Sequence, residues 1–319
     1  MEKILGLDIS KDDVHAALLV GERTWSKSFP NSRRGVIQIA AWLKNRKVEL
    51  VHACMESTGG YEDAIAHGLH ERGHIVSIIN PSQIKAFAQS ELLRTKTDAV
   101  DAALIGRFCR SHNPEPWSPP APEIQALQAL VRRFENLQDM VGMERNRLER
   151  DPSAAVARSI EEHVGFLEHE IENVEEEISE LFDRHSGLRA QRDLLISIPG
   201  IAQTTAARIL GEMPNIAEYR TSKCVAAFAG LSPHLFQSGR LRGRTRIAKT
   251  GNSRLRKALY FPAMSSVRCN PLTAALYQRL IAAGKPKMVA LIAVMRKLLI
   301  LAYGVLKSRQ PFDPAYGGS

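Results

Sequence analysis

KILGLDISKDDVHAALLVGERTWSKSF, residues 3–29, carries three strand patterns in succession. Ile4-Leu5-Gly6-Leu7 is an apolar run closed by Asp8, Val14 to Val20 alternates, and turn signals stand at Asp12-Asp13 and Gly21-Glu22. Connections this short join antiparallel neighbours, so the segment predicts a three-stranded meander. Downstream the pattern changes. Arg34 to Lys44 reads as a helix, Leu50 to Met55 as a buried strand, Tyr61 to Glu71 as a helix, and Ile75 to Ile79 as a strand ending at Asn80-Pro81. Strands alternating with helices predict a mixed α/β layer.

A meander followed by alternating α and β units, with carboxylates closing the first and fourth strands, resembles the ribonuclease H and Holliday-junction resolvase architecture. Asp8 closes the first strand, Glu56 follows the fourth ahead of Ser57-Thr58-Gly59-Gly60, and Asp98 and Asp101 lie in Lys96-Thr97-Asp98-Ala99-Val100-Asp101-Ala102. The last two share a helical face by their i, i+3 spacing. Acids from three separate segments suit Mg²⁺, which takes a few carboxylate oxygens and leaves positions open for phosphate and water. Each acid alone has a plain alternative: Asp8 as a turn residue, Glu56 as the capping partner of the Thr58-Gly59-Gly60 turn, Asp98 and Asp101 as a solvated helix start. Together they are more specific, because an unpaired carboxylate in an apolar strand context is costly and a bound cation removes that cost. Lys85, Arg94 and Lys96 surround the third segment and could follow phosphates or simply be solvated.

The 319 residues, 44% hydrophobic, suffice for two or three domains with real cores and exclude a disordered chain. Cys54, Cys109, Cys224 and Cys269 lie far apart without a CxxC pair, which argues against zinc clusters and disulfide frameworks. No signal peptide is expected at the N-terminus, and no run is read as membrane-spanning; Met288 to Leu306, with Arg296 and Lys297 at its centre, reads as a buried core helix. The expected location is the bacterial cytoplasm, at the nucleoid. The net charge of +9 is unevenly spread. Between Glu218 and Asp313 there are eighteen Lys and Arg and no acidic residue, which leaves 25 basic against 34 acidic residues elsewhere. An acidic front and a basic back predict a polyanion binder whose metal site lies apart from its main basic surface.

The domains are expected at 1–112 (the metal domain), 113–123 (a stiff linker with five prolines between Asn113 and Pro122), 124–186 (helices), 187–310 (a basic domain) and 311–319 (a mobile tail). Within 124–186, Ile160, Val164, Leu167, Ile171, Val174, Ile178 and Leu181 recur in steps of four and three, a coiled-coil seam whose partner is either the preceding helix or another chain. Residues around Pro199-Gly200 have the pattern of a helix-hairpin-helix, whose turn either meets a phosphate or merely connects helices.

From Gln237 to Asn252 glycines alternate with Arg240, Arg242, Arg244 and Arg246, followed by Lys249; with Arg254 these form the expected phosphate-tracking surface. Ser238 in Gln237-Ser238-Gly239 is ringed by cations that would favour an alkoxide and a developing phosphorane charge. A turn serine is the plain alternative; Ser232 and Ser253 compete, each with a local capping role.

Leu7-Asp8-Ile9-Ser10-Lys11, Met55-Glu56-Ser57-Thr58-Gly59, Asn80-Pro81, the Lys96–Ala102 segment, Ile198-Pro199-Gly200-Ile201, Phe228-Ala229-Gly230-Leu231 and Gly251-Asn252 together resemble the DEDD-type insertion-sequence transposases, from about Ile4 to about Val305. That resemblance implies an α/β N-terminal ribonuclease H/resolvase-like domain, a helical coiled-coil middle and a mainly α C-terminal domain supplying a catalytic serine. It implies Asp8, Glu56, Asp98 and Asp101 as catalytic Mg²⁺ ligands and Ser238 as nucleophile. It further implies a recombinase guided by a noncoding bridge RNA on target and donor DNA, working as a dimer paired into a tetramer. A metal-dependent endonuclease using water, and a non-catalytic nucleic-acid scaffold, are the alternatives.

Overall fold

Strands β1 (Lys3–Ile9), β2 (Asp13–Val20) and β3 (Arg23–Pro30) form the expected antiparallel meander in a computed structural model that describes residues 3–92, 97–150, 152–234, 237–238, 241–242, 246–247 and 250–317. Helix α1 (Arg33–Lys44) follows, its first turn capped by Ser32 accepting from the Gly35 amide. Then come β4 (His52–Glu56), α2 (Asp63–His70), β5 (Ile75–Ile79), α3 (Pro81–Ser90) and α4 (Asp98–His112). The sheet order is β3-β2-β1-β4-β5, with β4 parallel to both β1 and β5. This is the mixed topology of a ribonuclease H-like domain, as expected. The chain divides into two compact units, Met1–Pro119 and Pro120–Ser319.

Period-2 alternation decides what each face of the first unit's sheet carries. Leu5, Leu7 and Ile9 on β1, with Val14, Ala16 and Leu18 on β2, pack in one core with residues of α1 and α2. Ile4, Ala17, Leu19 and Cys54 pack on the other side with Leu104, Ile105 and Phe108 of α4. Burying each of those larger α4 side chains contributes about 1.5–3 kcal/mol. Gly6 lies where α4 crosses β1: a Cβ there would stand 2.0 Å from the Ala102 carbonyl oxygen and 2.4 Å from the Gly106 amide. Only a glycine lets the helix backbone come this close.

The proline-rich segment is tied down in its first half. Trp117 N donates to Val76 O at 2.6 Å, Ser77 Oγ donates to Glu115 O at 2.8 Å, and the Trp117 ring meets His67 edge-on. These contacts run along β5, an edge strand whose outer backbone groups need partners.

The second unit is mainly helical. Helices α5 (Pro122–Leu148) and α6 (Ala154–Arg184) form an antiparallel pair, with Glu144 facing His163 and Arg145 facing Glu168 across it. Leu167, Val174, Ile178 and Leu181 of the expected seam are buried in a core that includes Leu127, Val131 and Phe134, so that part of the seam finds cover within its own chain. Around the pair stand α7 (Ser186–Ile196), α8 (Gln203–Glu212), α9 (Ser222–Phe228), the short strands β6 (Pro233–His234), β7 (Gln237–Ser238), β8 (Leu241–Arg242) and β9 (Arg246–Ile247), then α10 (Ser253–Cys269), α11 (Pro271–Ala282) and α12 (Lys287–Ser308). The turn at Pro199-Gly200 is flanked by buried Ile198 and Ile201, and Pro199 O accepts from Asn270 Nδ2. One face of that turn is thus taken up by the α10–α11 junction. The start of the tail is docked, with Phe312 N donating to Ser197 Oγ.

The sequence expectation that no run reaches membrane-spanning length needs correction. α12 is long and apolar enough to cross a membrane. Its 22 residues qualify because Arg296 and Lys297 are the only charges in the run between Met288 and Leu306. Ala290, Val294, Leu298, Leu299 and Ala302 are nevertheless fully buried in the second unit's core, as the core-helix reading expects.

Gly6→Ala is expected to lower the stability of the first unit by about 1–3 kcal/mol or more, since backbone rather than a flexible side chain must give way. Urea denaturation followed by circular dichroism checks it; a midpoint equal to wild type would refute the close approach.

Candidate functional site

Alternation along β1 puts Asp8 on the same side as Ile4 and Gly6, facing α4. On β4 the same rule places Glu56 with Cys54. The parallel register pairs Leu7 with Met55, so Asp8 and Glu56 are the next neighbours, on strands about 4.8 Å apart. Both are half-buried. Asp98 and Asp101 lie in the first turn of α4, capped by Thr97, whose side chain accepts from the Val100 amide. The positive end of the helix favours carboxylates there. Asp101 immediately precedes Ala102, the residue that touches Gly6. The crossing of α4 over β1 therefore carries this pair toward the edge of the sheet where Asp8 and Glu56 stand.

His15 completes the group. It lies directly across from Asp8 in the β1–β2 ladder, and its Nε2 is 3.2 Å from Asp98 Oδ2. The four acids offer only oxygen donors, which suits a hard divalent cation. Among the described residues, no three carboxylate, imidazole or thiol groups stand close enough together to hold one. The acids surround the start of α4 without closing on a single point.

The loop after Glu56 is held by a different carboxylate from the one the sequence offered as a capping candidate. Buried Glu62 accepts from Ser57 Oγ at 3.1 Å, Thr58 N at 3.1 Å, Thr58 Oγ1 at 2.6 Å and Gly60 N at 2.8 Å. Burial opposes its charge, but the hydrogen bonds from Thr58 and Gly60 together outweigh it and hold the carboxyl below its usual range. Asn31 Nδ2 donates to Ser10 O and Tyr61 O, tying this loop to the β1–β2 turn. Cys54, beneath Glu56, is excluded as a nucleophile: hydrogen bonding to Cys109, burial and the nearby Glu56 charge all push its thiol up, so it stays protonated.

The serine candidate lies in the other unit. Ser238 is in β7, opposite Leu241 of β8, and β6 pairs with β9 through Pro233↔Ile247 and His234↔Arg246. These short ladders place the backbones of Ser238, Arg242 and Arg246 on a ribbon. Arg94, Lys96, Arg240, Arg244 and Lys249 lie outside the described residues. Lys85 is exposed on α3, and Arg254, in the first turn of α10, has Glu212 at 3.9 Å.

Two motifs distant in sequence meet at the base of the ribbon. Asn252 N donates to Phe228 O at 2.7 Å, and Arg256 Nη1 donates to Ala229 O and Gly251 O at 2.9 and 3.0 Å. A Cβ on Gly251 would stand 2.2 Å from Phe228 O and 2.3 Å from Gly230 N. Asn252 Nδ2 also donates to Glu212 Oε2. Phe228–Leu231 and Gly251-Asn252 thus close the stem from which the serine segment extends. His15, Glu62, Asn31 and Arg256 were not singled out from sequence. Of these only His15 left a usable signal, since counting back across the Asp12-Asp13 turn pairs it with Asp8.

A family model described as "Transposase" matches residues 5–150, and one described as "Transposase IS116/IS110/IS902 family" matches residues 192–278. The chain is 32% identical to the pilin gene-inverting protein of Moraxella lacunata, over 97% of each chain. It is 25% identical to the transposase for insertion sequence element IS1328 of Yersinia enterocolitica, over 80% of this chain and 81% of that one. Over 37% of this chain and 100% of the other, it also aligns with T. thermophilus RuvC, solved in complex with a Holliday junction substrate, at 15% identity and a TM-score of 0.28.

Glu62→Gln is expected to cost about 1–3 kcal/mol of stability, because a neutral amide cannot accept all the loop's donors. Because folding lowers the Glu62 pKa, its contribution is present above the unfolded value and is lost as pH falls through the folded one. Thermal melts across acidic pH should therefore show a weaker pH dependence for Glu62→Gln than for wild type; parallel curves would refute the clamp.

Proposed function

This chain belongs to the IS116/IS110/IS902 family of transposases, and from that premise we propose that it cuts and rejoins DNA through a 5′-phosphoserine intermediate on Ser238. The reading rests chiefly on one observation: half-buried Asp8 and Glu56 stand side by side on adjacent parallel strands, facing the helix that carries Asp98 and Asp101. Such a set binds nothing but cations, and the basic stretch after Glu218 supplies the complementary surface for a polyanion.

In this proposal Asp8, Glu56, Asp98 and Asp101 hold Mg²⁺, which supplies charge stabilisation at the scissile phosphate. Ser238 Oγ attacks the phosphorus in line. The Oγ–P bond forms as the P–O3′ bond breaks; the proton lost from Oγ goes to solvent, and the departing 3′ oxygen takes one up. Joining reverses the step: an incoming 3′ hydroxyl displaces Ser238 and restores the phosphodiester. Arg240, Arg242, Arg244, Arg246, Lys249 and Arg254 bind backbone phosphates beside the serine, with Lys85, Arg94 and Lys96 near the acids. Sequence choice is assigned to a noncoding bridge RNA that pairs with target and donor DNA. The α5–α6 pair, read as a coiled coil, is assigned the contacts of a dimer that pairs into a tetramer. The enzyme works at the nucleoid, in the bacterial cytoplasm.

The ribonuclease H-like topology also favours a second reading, in which water attacks and no adduct forms. Incubating target and donor DNA, guide RNA and Mg²⁺ with wild type, Ser238→Ala and Asp8→Asn, then denaturing, separates the two. The expected result is a protein–DNA adduct with wild type, none with Ser238→Ala, and a rate lowered about a hundredfold or more by Asp8→Asn. Cleavage that persists in Ser238→Ala without an adduct would establish the water mechanism instead.

A further inference from the structure

We infer that His15 is a positioning residue for the acid cluster, holding one oxygen of Asp98 so that the other is presented toward Asp8 and Glu56. The inference rests on the reading of these acids as metal ligands. His15 lies in β2, which is paired on both sides, with Asp8 opposite on β1 and Ser28 opposite on β3. That makes it a rigid point on the sheet. Asp98, by contrast, is the first residue of its helix, and its side chain is 66% exposed, so packing does little to choose its rotamer. The Nε2–Oδ2 contact of 3.2 Å is what fixes it to the sheet.

The chemistry favours support over competition. A carboxylate has two oxygens, and an imidazole N–H engages only one, leaving Oδ1 for a cation. Hydrogen-bonded partners of metal-binding carboxylates orient them, and their loss typically weakens binding. His15 also shares the α4 face of the sheet with Asp8 and Glu56, so it draws Asp98 toward the edge where they stand.

The test is Mn²⁺ binding to the full-length chain, read from the free-ion electron paramagnetic resonance signal, alongside melting temperatures without metal. Wild type, Asp8→Asn, His15→Ala and His15→Gln are compared. His15→Ala is expected to weaken Mn²⁺ binding about tenfold with little change in melting temperature, and His15→Gln, whose amide can donate to the same oxygen, to recover part of the loss. Wild-type or tighter binding in His15→Ala, while Asp8→Asn abolishes binding, would overturn the positioning role and leave the metal reading intact. A loss of affinity that tracks a fall in melting temperature, with no recovery in His15→Gln, would make His15 a structural residue only. Equally weak binding by wild type and Asp8→Asn would remove the metal reading and this inference with it.

Discussion

The contact between α4 and β1 at Gly6 is the constraint on which the rest of the first unit depends. A helix normally keeps its backbone a full side-chain layer away from a sheet, whereas here the Ala102 carbonyl and Gly106 amide come down onto the strand itself. The approach fixes both the depth and the longitudinal register of α4. Asp101 precedes the contact residue on the helix by one position, and Asp8 follows Gly6 on the strand by two. One glycine thus relates two acids far apart in sequence. Leu104, Ile105 and Phe108 then make the placement stable by burying the same helical face.

Around that contact the molecule spends its hydrogen bonds on loops rather than on strands. Glu62 collects four donors from Ser57, Thr58 and Gly60, and Asn31 joins Ser10 to Tyr61, so the two segments leaving the acid-bearing strands are cross-tied. In the second unit Arg256 does comparable work with two carbonyls at the base of the ribbon. Burial lowers the pKa of Arg256, though a guanidinium begins so far above neutrality that its charge remains. Each clamp uses a partly buried charge to organise backbone that has no ladder of its own, which is where charge-assisted hydrogen bonds count most.

Most of the first unit was legible because period-2 alternation is strong in β1 and β2 and the acids interrupt it at strand ends. Asp98 opening its helix was likewise readable from the Thr97 cap and the i, i+3 spacing. The losses have separate physical causes. Proline density made the segment after Asn113 read as a linker, since composition cannot reveal that the Trp117 amide and the Glu115 carbonyl complete an edge strand. Glu56 and Glu62 flank the same glycine turn, and only the direction of the strand decides that Glu56 faces α4 while Glu62 folds back over the loop. His15 was passed over because a histidine in an apolar strand usually signals a satisfied core residue. The helical seam left its partner open, as heptad spacing specifies a buried stripe without saying which helix covers it.

The stem geometry bears on which serine is the better nucleophile. Ser232 follows buried Leu231 directly, at the point where the backbone is pinned by the Leu231 N to Ala226 O bond. Ser253 opens α10 beside Asn252, whose side chain both caps the helix through Leu255 N and bonds to Glu212. A hydroxyl at either place is bound to the scaffold on its own side of the clamp. A residue that becomes covalently attached to a DNA strand must accept a bulky, highly charged adduct and later release it. Ser238 stands beyond the clamp, on the segment richest in arginine, where attached phosphate meets cations and the stem absorbs the load without unfolding the helices beneath it.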